Sequence, residues 1–243
     1  MVDVTADLPS LPDPEIHHEH RDVSGGWLRP TVFGMMDGLV SNFALIAGIA
    51  GASSKTSTIA LAGLAGLVGG AFSMAAGEYI SVQSQNESTL AEVAKERHEL
   101  IHNSAAERDE LTQMYVSRGV DPDVAEKVAR QLSRDPDQAL LVHAQEELGV
   151  DPRQLPSPWT AAGSSFGSFT VGALVPLIPY LFGVSTIVIS AILAVVALFL
   201  AGAVTAQFTA RSWLFSGTRQ LVLGLLAAAV TYGVGSAFGA SVG

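Results

Sequence analysis

Apolar residues in this chain fall in long unbroken runs rather than at the spacing of a half-buried helix or strand. Residues 56–77, 160–210 and 220–243 contain no Asp, Glu, Lys or Arg, and residues 30–54 hold only Asp37. A helix needs about 20 mostly apolar residues to cross a bilayer, and these runs supply them. The first predicted span covers residues 31–52, just after Pro30, a residue suited to a helical first turn. The second covers residues 58–82, separated from the first by a short polar stretch around Lys55. The long C-terminal run divides at Gly183, after Pro176 and Pro179, and again at the polar group from Arg211 to Arg219. That division gives spans over residues 161–182, 184–209 and 218–239. The pattern predicts an all-α membrane protein with five transmembrane helices and a helical insertion between the second and third.

The insertion carries its own start and stop signals. Thr89 with Glu92, and Ser104 with Glu107, match the capping box. Asp121-Pro122 and Asp135-Pro136 each pair an N-cap residue with proline at the first helical position. Gly119 and Gly149 read as helix stops. Helices are expected over 89–103, 105–118, 122–133 and 136–148, with the first two either separate or joined in one kinked rod. The chain then divides into an N-terminal tail (1–29), spans one and two (30–84), a helical insertion domain (85–158) and spans three to five (159–243). Five spans put 12 of the 13 Lys and Arg residues on one side, leaving only Lys55 on the other. By the positive-inside rule the tail and the insertion are cytoplasmic, and the C-terminus is outside or luminal.

Composition narrows the function. Apolar residues make up 49% and charged residues 15%, against about a quarter charged in an ordinary soluble domain. Mean hydropathy is +0.37. An ordinary soluble enzyme and a disordered chain are excluded, and a net charge of −10 argues against nucleic-acid partners. With no cysteine there are no disulfides, zinc-thiolate sites or thiol catalysis. Residues 1–15 are acidic and proline-rich with no apolar core, so a disordered tail is expected rather than a signal peptide. There is no H-E-x-x-H, G-x-S-x-G or phosphate loop, so neither ATP use nor hydrolysis is supported; an enzyme is not expected, nor a permanently bound cofactor. Arginine outnumbers lysine ten to three and the loops are lean, which points to a bacterial plasma membrane rather than a vacuole.

The insertion holds 15 acids against eight bases, and E-x-x-E occurs twice, as Glu96/Glu99 and Glu107/Glu110. Residues three apart share a helix face, so each pair sets two carboxylates side by side at a cost that a bound cation removes. His143, Glu146 and Glu147 share a face further on. Taken alone, such a surface is a solvated acidic face; the repeated pairs and the excess of acids turn it into a candidate metal site. Carboxylates with an imidazole suit ferrous iron, manganese or zinc. No EF-hand loop is present to favour calcium.

Asp37 and Glu78 are the only acids inside the predicted spans. Each costs about 2.5–3.5 kcal/mol at a span centre, and such residues are usually functional. Both lie roughly 6–9 Å below the same surface, at about 1.5 Å per residue. Met74 is one turn deeper than Glu78. Carboxylate with thioether suits a borderline-soft cation. Desolvation raises a carboxyl pKa and a cation lowers it, so a site alternating between metal and proton can exchange them. Met35 and Met36 read as packing residues. Gly34 with Gly38, and Gly66 with Gly70, provide small faces for close helix approach, within a subunit or across a dimer. His98 and His102 fall off the carboxylate face, as surface residues. His17, His18, Glu19 and His20 form a compact ligand-like cluster in the tail.

The run Asp37-Gly38-Leu39 followed by Asn42-Phe43-Ala44-Leu45 and Ala47-Gly48 resembles the first span of the vacuolar iron transporter family. The stretch from Gly70 to Ser81 (GAFSMAAGEYIS) is similar to that family's second span. The E-x-x-E pairs, Glu147-Leu148-Gly149 and the stretch Gly172 to Pro179 resemble it too. The resemblance implies a homodimer with a path at its seam, moving ferrous iron, and often manganese, out of the cytosol in exchange for protons. It implies that Asp37 and Met74 line the path, and that Glu96, Glu99, Glu107, Glu110 and Glu147 bind metal in the cytoplasmic domain. Plant-type members carry methionines shortly before the Glu-Leu-Gly, where this chain has His143 and Ala144; manganese or zinc gains weight there. The alternative function is a membrane-bound metal sensor or store without transport.

Overall fold

The computed structural model describes residues 26–53, 55–208 and 211–242. The predicted tail, including the His17 to His20 cluster, lies almost entirely outside the described residues. Eight α-helices follow in order: α1 (Leu28–Ala52), α2 (Thr56–His102), α3 (Ser104–Ser117), α4 (Pro122–Leu132), α5 (Pro136–Glu147), α6 (Pro158–Leu181), α7 (Ile187–Thr205) and α8 (Trp213–Val242). A 3-10 turn, Ala206–Phe208, follows α7. There is no strand among the described residues. Five helices, α1, α2, α6, α7 and α8, are long and apolar enough to cross a membrane. The protein is a multi-pass membrane protein.

The helix boundaries follow from local chemistry, with two corrections. Asp121 and Asp135 cap α4 and α5 as expected: their side chains accept from the backbone N–H of Asp123 and Asp137, each at 3.0 Å. Gly119, Gly149 and Gly183 take φ of +92°, +68° and +81°, the left-handed region where a side chain is penalised. Gly183 thus ends α6 and separates the third and fourth span helices. The first correction is at Thr89. No helix starts there, because α2 runs unbroken for 47 residues. From Glu78 to His102 there is neither glycine nor proline. Continuing a helix adds one bond per residue, whereas a new start needs a fresh nucleus, so the capping-box pattern loses. The second correction is at Ser104, which is the first residue of α3 rather than its cap. The chain turns at Asn103, whose side-chain N–H donates to Glu99 Oε2 at 2.5 Å. Of the C-terminal spans, α8 begins five residues before the expected 218.

α1 is the central helix of the apolar layer, packed on α6, α8, α2 and α7. Lipid is as apolar as leucine, so close approach through small residues holds membrane helices together. A Cβ at Gly38 would lie 2.3 Å from the Phe169 carbonyl oxygen, and one at Gly34 would lie 2.4 Å from Ser168 Oγ. From the opposite side, a Cβ at Gly172 would lie 2.3 Å from the Met35 carbonyl oxygen. The Gly34/Gly38 face is therefore used within the chain, against α6. Polar side chains stitch the same layers: Asn42 Nδ2 donates to the Ala173 carbonyl at 2.7 Å, and Thr231 Oγ1 to the Ala44 carbonyl at 2.7 Å. Outward faces carry exposed Leu61, Phe72, Ile192, Leu226 and other large apolar residues, as lipid contact requires.

Candidate metal centres

Two places gather ligand-type side chains. The first is a cavity of about 220 Å³ between α1, α2 and Phe169 of α6. Asp37, Ser41 and Asn42 of α1 face Gly66, Gly70, Ser73 and Met74 of α2 across it. Ser41, one turn after Asp37, donates its hydroxyl to Asp37 Oδ1 at 2.5 Å, which leaves the second carboxylate oxygen free to bind an ion. Asn42 is 2% exposed, and its Oδ1 has no hydrogen-bond partner. Glycine at 66 gives that oxygen room, since a Cβ there would lie 2.9 Å from it. Met35 and Met36 line a separate apolar groove beside α7, in keeping with a packing role.

Asp37 and Met74 thus share one cavity, whereas Glu78, expected at the level of Asp37, is not part of its lining. Glu78 lies one turn beyond Met74 along α2, past the residues that line the cavity. It is half-buried, and the next residue, Tyr79, packs its ring on Trp159 at 4.8 Å. Sequence reasoning passed over Ser41, Asn42 and Ser73. A serine one turn from an aspartate within a span was the available signal.

The second centre lies where the end of α2 meets α3 and α5. Glu96 of α2, Glu107 of α3, and His143 and Glu147 of α5 place one ligand atom each within 4.8 Å of one another. His143 is fully buried, and its Nδ1 faces three carboxylates: Glu147 Oε1 at 2.7 Å, Glu96 Oε1 at 3.1 Å and Glu107 Oε2 at 3.8 Å. The bend at Asn103 and the turns flanking α4 bring these residues together from three helices. Burial, reinforced by the nearby Glu147 charge, pushes the Glu96 carboxyl up to about 7. Burial and the Glu110 charge also raise Glu107. A shared proton between Glu96 and Glu107 raises the first and lowers the second. Three acids around one imidazole nitrogen thus hold a proton where a cation would relieve the repulsion.

The other sequence candidates fall outside this group. Glu99 accepts from Asn103, and Glu110 is exposed. Glu146 is paired with Arg118, the residue that caps the C-terminus of α3, which ties α5 to the end of α3 beside Glu147; its charge and the burial of Tyr115 together raise the Tyr115 hydroxyl pKa, burial being the larger cause. His98 and His102 stack on each other at 4.0 Å on the surface. Each E-x-x-E pair contributes its first glutamate to the cluster, and the second points elsewhere.

Known proteins share this arrangement of sequence over most of its length. A protein named vacuolar iron transporter from Acanthamoeba castellanii is 40% identical over 235 residues, covering 89% of this chain and 81% of its own. Vacuolar iron transporter 1 from Oryza sativa subsp. japonica is 32% identical, with 95% of each chain covered. Vacuolar iron transporter 1 from Arabidopsis thaliana is 28% identical, covering 89% of this chain and 88% of its own. The family model described as the VIT family matches residues 28–236, and this chain belongs to that family.

Proposed function

We propose that the protein carries divalent metal, ferrous iron first and manganese second, out of the cytosol in exchange for protons. The observation that carries this reading is the cavity between two span helices where Asp37 and Met74 face each other. An acid at that depth is costly without a cation or a proton, and a thioether beside it favours a borderline-soft ion over magnesium. The relatives named as iron transporters point to the same substrate. Proton exchange follows from competition: metal binds the deprotonated carboxylate, so loading expels a proton and protonation releases the metal. Glu78 stands one turn along α2 from Met74, at the approach to the cavity.

The Glu96/Glu107/His143/Glu147 cluster is the cytoplasmic collecting point, on the side that holds nearly all the basic residues. Fully buried His143 adds a nitrogen ligand to an otherwise oxygen site, which extends its range to manganese and zinc. The working form is a homodimer in a bacterial plasma membrane. The test is flux into proteoliposomes, with iron, manganese and zinc compared at two pH gradients. Wild type moves metal and counter-moves protons, and Asp37→Ala stops both. Metal uptake with unchanged proton flux refutes the exchange. A second reading, a metal sensor or store, draws on the four-ligand cluster alone: it requires Asp37→Ala to leave the protein's behaviour intact while Glu96→Gln with Glu107→Gln abolishes metal binding.

A further inference from the structure

Asn42 is the least expected side chain of the membrane cavity. It sits inside an apolar span and is almost wholly buried, yet its side-chain oxygen accepts no hydrogen bond. Its amide nitrogen donates to the Ala173 carbonyl of α6 at 2.7 Å. A carbonyl accepts and does not donate, so the amide can meet it only through nitrogen. That contact fixes the orientation and turns Oδ1 away from α6. Oδ1 has no partner, and its residue lines the same cavity as Asp37 and Met74. A buried carbonyl-type oxygen left without a donor costs about 1–3 kcal/mol.

A donor or a cation would offset that cost, and the cavity is built for the second. Asp37 in the same lining is itself an acceptor, its hydroxyl donor Ser41 is already engaged with it, and the Ser73 hydroxyl across the cavity makes no hydrogen bond to Oδ1. Gly66 leaves the space in front of Oδ1 clear. We propose that Asn42 supplies a neutral oxygen ligand to the ion passing Asp37 and Met74, and that it sets the balance between harder and softer divalent ions. The site then presents one charged oxygen, one amide oxygen and one sulfur. The oxygens favour harder ions such as manganese, and the sulfur favours softer ones such as cadmium. This inference deepens the transport reading and rests on it.

The experiment is transport by the full chain in proteoliposomes, with Mn2+ and Cd2+ as probes. Asn42→Leu keeps the volume and removes the oxygen. It is expected to lower kcat/KM for Mn2+ by at least the roughly tenfold that loss of an outer-shell partner costs a metal site, and for Cd2+ much less. Met74→Leu is expected to reverse the order. Asn42→Asp keeps an oxygen toward the ion but sets a carboxylate against the Ala173 carbonyl; it retains Mn2+ transport if Asn42 is a ligand. If the amide served only to tie α1 to α6, Asn42→Asp would be at least as damaging as Asn42→Leu, and both ions would fall together, which overturns the proposal. Should Asn42→Asp fail to fold, the Mn2+ to Cd2+ ratio of Asn42→Leu decides, an unchanged ratio counting against it. Wild type moving no metal at all would refute the transport reading instead.

Discussion

Metal affinity at the Glu96/Glu107/His143/Glu147 cluster must depend steeply on pH. The perturbation is acidification from pH 7.5 to 5.5. Glu96 is held up to about 7 by burial and by Glu147, so at pH 5.5 it is protonated and a metal must displace that proton. For one displaced proton the apparent affinity falls in proportion to the deprotonated fraction, about 25-fold between these two pH values. That is about 2 kcal/mol of binding free energy. The sign for the metal-free protein is opposite. An acid whose pKa is raised by folding binds more protons when folded, so its contribution to stability is complete below the unfolded value of 4.5 and is lost as pH rises through about 7. Metal-free protein therefore loosens around this cluster on going from pH 5 to 8, and added metal reverses the loss. The assay is Mn2+ titration of the purified full chain by calorimetry at the two pH values, with proton release read from buffers of different ionisation enthalpy. Glu96→Gln should bind more weakly at pH 7.5 and lose most of the pH dependence. Equal affinity at both pH values, or an undiminished slope in Glu96→Gln, would refute the reasoning.

Three further outcomes are expected. Gly38→Ala should lower thermal stability by the roughly 1–3 kcal/mol typical of overpacking or more, because its methyl meets backbone at 2.3 Å, whereas Gly69→Ala and Gly163→Ala, with nothing within 4 Å, should be tolerated; thermal shift in detergent compares them. Glu107→Gln should weaken Mn2+ binding strongly, while Glu99→Gln and Glu110→Gln change it little because neither side chain belongs to the cluster; isothermal titration separates them. Asp121→Ala removes the acceptor for the Asp123 N–H and should cost about 1 kcal/mol, seen as faster amide hydrogen exchange confined to α4.

Helix caps and breakers were legible where they act alone. Asp121, Asp135, Gly119, Gly149 and Gly183 each do what their chemistry dictates, because φ sign and one side-chain acceptor decide the local outcome. Thr89 misleads, since a capping pattern describes how a helix can start and says nothing about whether the preceding helix has stopped. Charge-free runs announce the spans because lipid tolerates little else. The candidate metal ligands were legible as types but not as a set. Spacing of three places Glu96 beside Glu99, yet the bend at Asn103 and the packing of α5 select Glu96 with Glu107, a choice made by tertiary geometry. Asn42 was read as part of the first-span motif and not as a site residue, because an isolated amide in a span has no periodic signature, and only its contact with Ala173 shows which atom is left over.

The unbroken length of α2 has a mechanical corollary. Met74 and Glu96 are 22 residues apart on one helix, about 33 Å along its axis. Sharp bends need proline, glycine or an inserted side chain, and Gly77 is the sole residue of the first two kinds between them. For a stiff shaft of that length, each degree of tilt about the level of Met74 sweeps Glu96 sideways by about 0.6 Å. A displacement of one carboxylate by the width of an ion contact is thus reported at the sulfur as a turn of only a few degrees.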